Sequence, residues 1–285
     1  MGIRERLVLW MTTNFYDTNV RQSPVIGLVR SVFRSTPLIG ILVRKELAVR
    51  YKRSFIGIWW SLLNPLFTTA VLFYVFNTAF KNKINESHHF IPYILCGVLI
   101  VTFFNQSLTM ISDSITGNAD IFTKMYVRPE MFAIASAIAA GINFSFGLLP
   151  LLIVSIASGV HIGLAAFAIL YVVICLICMS IGLGLLCAIS YIFFEDFRSI
   201  IQLLLMVIGY MTPVFYPLAA LGPHTRPVIE ANPLTSLLAI FRYNFGNLEP
   251  SGYSNWLYSG VFSISALILG IFVFEKLWPK AVVKL

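Results

Sequence analysis

Charged residues are scarce in this chain. Only 11% of its 285 residues are Asp, Glu, Lys or Arg, whereas 58% are hydrophobic. A soluble domain carries about 25% charged residues, so this composition excludes a water-soluble fold and predicts an integral membrane protein surrounded by membrane lipids. In a membrane protein, the positions of the basic residues behind the formal net charge of +8 indicate the orientation in the membrane. We therefore predict no nucleic-acid partner.

Reactive and metal-binding residues are also few. The four cysteines lie in apolar stretches, which does not favour a disulfide framework: Cys96, Cys175, Cys178 and Cys187. We interpret the C-x-x-C at Cys175 and Cys178 as apolar residues on one helix face, because a redox or metal pair needs solvent access. No metal site is predicted. The apolar run at 7–11 is too short for a cleavable signal peptide, so we expect a retained N-terminus.

The sequence lacks the residues that bind ATP or couple transport to ions. No G-x-x-x-x-G-K-[ST] phosphate loop occurs, and the dipeptide Gly-Lys is absent. The apolar stretches also lack the acids and bases that ion-coupled carriers keep inside the bundle. We therefore expect no enzyme activity, no catalytic residue and no cofactor on this chain. If the protein is a transporter, a separate ATPase subunit must bind ATP and Mg²⁺.

Long apolar segments predict an all-α polytopic membrane protein with six transmembrane helices. Each segment is long enough to cross about 30 Å of hydrocarbon, and a turn at His161 divides the longest of them, Met131–Phe194, into two. The transmembrane domain is predicted at 57–285. Its expected spans are 57–80, 91–112, 131–158, 163–192, 199–217 and 256–275.

Residues 1–56 are predicted to form a cytoplasmic N-terminal region with interfacial amphipathic helices. Ser23-Pro24 and Thr36-Pro37 are typical helix starts, and each is followed by apolar residues on one face and basic residues around them. The alternative for the first helix is packing on protein. With the N-terminus inside, cytoplasmic segments hold sixteen of the 20 Lys and Arg residues. The positive-inside rule then places both termini in the cytoplasm.

The segment at 218–250 is rich in proline and too polar for a span. Asn232-Pro233 begins a helical stretch that reaches about Phe245 and is too short to cross the membrane. We predict short re-entrant helices here. Broken backbone at membrane depth must lie against protein or a water-filled cavity, which suits the outer mouth of a pathway.

Aromatic residues make up 14% of the chain and crowd the first, second and fifth spans. Such residues either face lipid and form interface belts or line a pathway on which sugar faces stack. The candidate pathway residues are Trp59, Trp60, Phe67, Tyr74, Phe103, Phe104, Tyr210, Phe215 and Tyr216.

Two predicted cytoplasmic loops, 113–129 and 194–198, combine apolar and charged residues. A partner ATPase is one interpretation; a solvated connector and a helix cap, respectively, are the others. The candidate contact residues in these loops are Asn118, Asp120, Phe122, Lys124, Glu195 and Asp196.

Several motifs give the chain a resemblance to the permease subunits of type-2 ABC exporters of cell-envelope polysaccharides. The resemblance covers about residues 38–280 and leaves 1–37 outside. The motifs are Arg44-Lys45-Glu46-Leu47, Arg50-Tyr51-Lys52-Arg53-Ser54, Gly57-Ile58-Trp59-Trp60-Ser61-Leu62-Leu63-Asn64-Pro65-Leu66, Asn118–Lys124 with Pro129, Thr212-Pro213-Val214-Phe215-Tyr216-Pro217, and Asn232-Pro233-Leu234 with Arg242.

The resemblance implies a homodimer with two ATPase subunits in the bacterial cytoplasmic membrane. The implied cargo is a polyprenyl-diphosphate-linked polysaccharide such as an O-antigen, galactan or teichoic acid. It implies further ATPase contacts at Arg44, Glu46 and Arg50. The implied outer gate comprises Pro213, Pro217, Asn232, Pro233 and Arg242.

One position departs from the family pattern. Glu195 stands before Asp196 where the family usually has arginine, so the role of this corner is open. Two other functions are weighed: export of a small hydrophobic drug or lipid, and a membrane-embedded glycosyl- or prenyltransferase with a metal at Glu195 and Asp196. Two adjacent acids are too few to hold a divalent ion, which disfavours the enzyme.

Overall fold

Helices make up all the regular secondary structure that the computed structural model describes, which covers residues 35–52, 54–79, 90–124, 127–160, 166–246, 251–282 and 284. The predicted all-α class is therefore confirmed over these residues. The helices are α1 Thr36–Tyr51, α2 Trp60–Ala79, α3 Phe90–Thr116, α4 Ala119–Lys124, α5 Glu130–Ala157, α6 Ala166–Phe193, α7 Phe197–Met211, α8 Arg226–Glu230, α9 Pro233–Gly246 and α10 Tyr253–Ala281.

Four helices of the described chain, α3, α5, α6 and α10, are long and apolar enough to cross a membrane. Helices α2 and α7 are apolar but shorter, so the count of six spans stays a prediction.

The fifth predicted span is wrong at its C-terminal end, because α7 stops at Met211 rather than near 217. Thr212 is extended, with φ −76° and ψ 128°, since a residue that precedes proline avoids the helical region. The six residues 212–217, which we call the gate segment, are therefore irregular backbone.

Small residues let α3 and α6 pack closely. Ser180, Gly184 and Ala188 form a stripe along α6 and are all buried. The Ser107 hydroxyl of α3 donates a hydrogen bond to the Ser180 hydroxyl over 2.6 Å. Ser112 donates to the Gly184 carbonyl over 3.2 Å. Short polar side chains and close backbones are how helices associate in lipid.

Helices α6 and α10 approach each other even more closely. A Cβ atom added to Gly182 would lie 2.2 Å from the Ala266 carbonyl oxygen, and one added to Gly270 would lie 2.2 Å from the Gly182 carbonyl oxygen. Both neighbours are backbone atoms. The two helices therefore keep this separation only while glycine occupies these positions.

Helix α1 begins at Thr36 with Pro37 in its first turn, as predicted. Its buried residues Ile39, Leu42 and Val43 pack with residues of α5. These residues of α1 therefore pack on protein, whereas Ile41 and Val49 stay exposed. The position of α1 at a membrane interface stays a prediction. The helix predicted from Ser23-Pro24 lies outside the described residues.

Helix α9 confirms the short helix predicted from Asn232-Pro233. Asn232 caps it, because the Leu234 amide donates to the Asn232 side-chain oxygen over 3.1 Å. Its apolar residues are buried in the main core rather than exposed: Leu234, Leu237, Leu238, Phe241 and Phe245. Its depth relative to a membrane stays a prediction.

Candidate transport site

A cavity of about 400 Å³ lies where α1, α2, α3 and α5 meet, and we call it the Asn143 cavity. Its size falls within the range of small-ligand sites. It is lined by Arg50, Tyr51, Trp60, Ser61, Asn64, Pro65, Leu99, Thr102, Phe103, Gln106, Asn143, Phe144 and Gly147. Polar and aromatic side chains therefore surround one space beside the apolar core.

Asn143 is the most buried polar side chain in this wall, with 4% of its surface exposed. Tyr51 donates its hydroxyl proton to the Asn143 side-chain oxygen over 2.7 Å, and Ser61 lies within hydrogen-bond distance of Tyr51. The Asn143 amide nitrogen has no hydrogen-bond partner in the described part of the chain. A buried donor without an acceptor costs about 1–3 kcal/mol. The nitrogen has almost no accessible surface, so a ligand acceptor could pair with it only after a local opening of the cavity wall.

Arg50 supplies the positive charge of the Asn143 cavity. Its guanidinium donates to the sulfur of Met110 over 3.0 Å, and thioether sulfur is a weak acceptor. Arginine binds phosphate oxygens through paired N–H groups. A cavity with an arginine, an amide donor and aromatic walls suits an anionic ligand that also carries sugar rings.

The predicted pathway aromatics separate into four groups. Trp60 and Phe103 line the Asn143 cavity, where the rings of Phe103 and Phe144 lie 5.0 Å apart. Phe104 is buried in the main core. Phe215 and Tyr216 belong to the gate segment and contact each other. The rest are exposed on the surface: Trp59, Phe67, Tyr74 and Tyr210.

Arg242 of α9 is fully buried against the gate segment. It donates to the carbonyl oxygens of Pro213 over 2.9 Å, Val214 over 2.7 Å and Tyr93 over 3.1 Å. Its guanidinium also lies 3.4 Å from the centre of the Tyr93 ring. Arg242 therefore supplies donors to the Pro213 and Val214 carbonyls of the irregular gate segment, as buried backbone acceptors require, and it adds a bond to Tyr93 of α3.

Other contacts fix the gate segment beside α3 and α9. Asn232 donates to the Thr212 hydroxyl over 3.0 Å, and the Tyr93 hydroxyl donates to the Tyr216 carbonyl over 3.2 Å. The structure thus brings together three of the residues predicted for an outer gate: Pro213, Asn232 and Arg242. Pro217 is exposed, and Pro233 is the first residue of α9.

Most residues predicted to contact an ATPase lie at or near the protein surface. The exposed ones are Arg44, Arg50, Asp120, Glu195 and Asp196, and those of intermediate exposure are Glu46, Asn118 and Phe122. The side chain of Lys124 lies outside the described residues.

Partial burial raises the pKa of Glu46, against the opposing effect of Lys45 and Arg50. Lys45 in turn donates to the Asn118 side-chain oxygen and so joins α1 to the loop before α4.

Several residues near these sites were not predicted from the sequence. Asp113 and Arg198 form an ion pair of 2.7 Å that joins α3 to α7, but their separation along the chain gives no spacing signal. Asn143 was also missed, although a lone asparagine in an apolar span is a signal, since polar residues inside membranes are costly and tend to be functional.

Four long apolar helices that pack on one another define a polytopic integral membrane protein, and Arg242 and Tyr93 pair carbonyls of its irregular gate segment. The chain belongs to the ABC-2 type transporter family, whose family model matches residues 37–246. This confirms the predicted resemblance to a type-2 ABC exporter permease.

Three of the similar proteins have names that describe polysaccharide export. The O-antigen export system permease RfbA of Klebsiella pneumoniae is 24% identical over 84% of this chain and 92% of the relative. The RfbA permease of Myxococcus xanthus is 27% identical over 78% and 85%, respectively. The capsule polysaccharide export protein CtrC of Neisseria meningitidis is 22% identical over 88% and 94%.

Proposed function

We propose that this chain is the transmembrane subunit of an ATP-driven exporter that moves a polyprenyl-diphosphate-linked polysaccharide across the bacterial cytoplasmic membrane. The observation that carries the proposal is the Asn143 cavity, where Arg50, an unpaired amide donor and aromatic rings line one space. The glycan belongs to the chemical range of O-antigens, galactans and teichoic acids. The relatives' roles in O-antigen and capsule export support this cargo.

In this proposal the Asn143 cavity receives the charged end of the lipid-linked glycan. Arg50 binds the diphosphate through charge-assisted hydrogen bonds, so we assign it to the substrate rather than to the ATPase. The Asn143 amide nitrogen donates to a diphosphate or sugar oxygen. Trp60 and Phe103 offer apolar faces to the C–H surfaces of the first sugars.

The working complex is proposed to be a homodimer of this chain with two ATPase subunits, which bind ATP and Mg²⁺. Six spans place both termini in the cytoplasm, and α2 and α7 complete the set of spans. The exposed residues Arg44, Asp120, Glu195 and Asp196 are proposed to contact the ATPase. The gate segment, with Arg242 and Asn232, is proposed to close the outer end of the pathway.

Two further functions are less well supported. A small hydrophobic drug or lipid would bind best to an apolar wall, whereas the Asn143 cavity contains several polar side chains. A metal-dependent glycosyltransferase would need a third ligand beside Glu195 and Asp196, and the described residues contain no group of three possible metal ligands.

The direct test is co-expression of this chain with a candidate ATPase and isolation of the complex in detergent. We expect ATP hydrolysis by an assembly of two chains and two ATPase subunits. After reconstitution into vesicles, the assembly should translocate lipid-linked glycan in an ATP-dependent way. Transport of glycan by the chain without any nucleotide-binding subunit would contradict the proposal, as would ATP-dependent transport restricted to small hydrophobic compounds.

Replacing Asn143 with leucine should weaken transport while leaving the complex assembled. The change removes the amide that we propose to bind the substrate, and loss of one hydrogen bond to a charged group costs about 1.5–3 kcal/mol. We therefore expect the initial rate of glycan transport at limiting substrate to fall by about tenfold or more.

The matched control is Ser145→Leu in the same helix, because Ser145 is exposed and bonds within its own helix. Ser145→Leu should transport at the wild-type rate. An Asn143→Leu complex that also transports at that rate would show that this cavity does not hold the substrate.

A further inference from the structure

A second cavity of about 890 Å³ lies beside the start of α3, and we call it the Tyr258 cavity. It is bounded by the end of the gate segment, by α8 and α9, and by the start of α10. Its lining residues are Tyr93, Pro217, Leu218, Arg226, Glu230, Ala231, Thr235, Ser236, Ala239, Ser251, Gly252, Ser254, Asn255 and Tyr258. Its volume falls within the range of small-ligand sites.

Hydroxyl and amide groups dominate the polar part of this wall. Tyr258 donates its hydroxyl proton to the Ala231 carbonyl over 2.6 Å, and Thr235 donates to the Ile229 carbonyl over 2.8 Å. Both hydroxyl oxygens keep lone pairs that can accept hydrogen bonds. Arg226 and Glu230 form an ion pair of 2.7 Å, which adds charged donor and acceptor groups. Such a mixed set matches sugar hydroxyls, each of which donates and accepts.

The Tyr258 cavity also borders the gate segment and a residue that holds it in place. Tyr93 lines the cavity, and its ring and carbonyl hold Arg242. Pro217, the last residue of the gate segment, lines the cavity as well. A molecule bound here would therefore touch both sides of the contact between α3 and the gate segment. The Asn143 cavity shares no lining residue with it.

We propose that the Tyr258 cavity is a saccharide subsite, which binds sugar residues of the glycan as they leave the gate segment. The inference rests on the proposed function, from which it takes two points: the cargo is a polysaccharide, and the cavity faces the outer side of the membrane. The ligand is an oligosaccharide stretch without its lipid diphosphate. Hydroxyl groups recognise its polar edges, and the Tyr93 and Tyr258 rings are positioned to contact its C–H faces.

The test measures binding of lipid-free glycan to the full permease–ATPase complex. The probe is the water-soluble polymer released by mild acid from the lipid carrier of the producing cells and labelled with a fluorophore. Anisotropy reports its binding. Ser254→Phe places a ring in the cavity and should weaken binding by about tenfold or more. Ser265→Phe, at another exposed serine of α10 outside the cavity, should bind as the wild type does.

Two results would overturn the subsite. One is wild-type complex that does not bind the released polymer, and the other is Ser254→Phe complex that binds it as tightly as the wild type. Transport of lipid-linked glycan, measured on the same preparations, judges the proposed function separately. If glycan is transported but the released polymer does not bind, the subsite proposal alone is contradicted. If no glycan is transported, the proposed function is contradicted.

Discussion

Arg242→Met is expected to reduce glycan export to below about a hundredth of the wild-type rate, a change that corresponds to roughly 2.7 kcal/mol. The substitution leaves the buried carbonyls of Pro213 and Val214 without the donors that Arg242 provides, and it removes the bond to Tyr93 of α3. Each unpaired buried acceptor costs about 1–3 kcal/mol. The gate segment cannot keep its irregular backbone beside α3 at that cost. Export of glycan to the cell surface is the measurement.

The variant Arg242→Lys tests whether the positive charge of Arg242 or the geometry of its hydrogen bonds is needed for export. Lysine keeps the positive charge, but its ammonium lacks the planar set of donors with which arginine reaches several acceptors. We expect Arg242→Lys to restore little export, although the complex should still assemble and elute from size exclusion as the wild type does. Full export by either variant would show that the gate segment does not depend on this residue.

Gly182→Ala and Gly270→Ala are each expected to destabilise the protein by about 1–3 kcal/mol, the usual cost of overpacking a core. The added methyl group would lie 2.2 Å from a backbone carbonyl oxygen in each case. Since backbone cannot turn away as a side chain can, α6 and α10 must separate. The midpoint of thermal unfolding in detergent should fall by about 2–4 °C per kcal/mol.

Gly141→Ala is the matched control for these variants. Its added methyl group would lie 3.8 Å from the nearest atom, a side-chain carbon of Ile177, which is an ordinary contact. Alanine also favours helix by roughly 0.5–1 kcal/mol over glycine, so this variant should melt at or slightly above the wild-type temperature. An unchanged midpoint for both Gly182→Ala and Gly270→Ala would refute the close approach of α6 and α10.

Local signals in the sequence were sufficient for the helices and for some of their ends. Thr36-Pro37 and Asn232-Pro233 predicted the starts of α1 and α9, because proline in a first helical turn sacrifices no hydrogen bond. At Thr212-Pro213, by contrast, proline keeps the preceding residue out of the helical region and ends α7, but the apolar residues that follow hid this boundary.

Contacts between distant residues could not be predicted in the same way. Arg242 and Tyr93 are 149 positions apart, and no spacing rule relates them. The aromatic residues raised a related difficulty. In a soluble protein an apolar face indicates the core, but in a membrane both lipid and core accept apolar side chains. Composition therefore could not distinguish buried Phe104 from exposed Phe67 and Tyr74.

Helix α7 packs shallowly along its length, with Ile201 and Ile208 partly buried against the main core, and it is also held at its two ends. Leu205 is its one buried residue, whereas Arg198 pairs with Asp113 at one end and the gate segment follows at the other. A helix of 15 residues is about 22 Å long, and it behaves as a stiff rod under load. We expect a push on the Glu195–Arg198 corner to reach the gate segment as a tilt or rotation of α7 against the more tightly packed α3, α6 and α10.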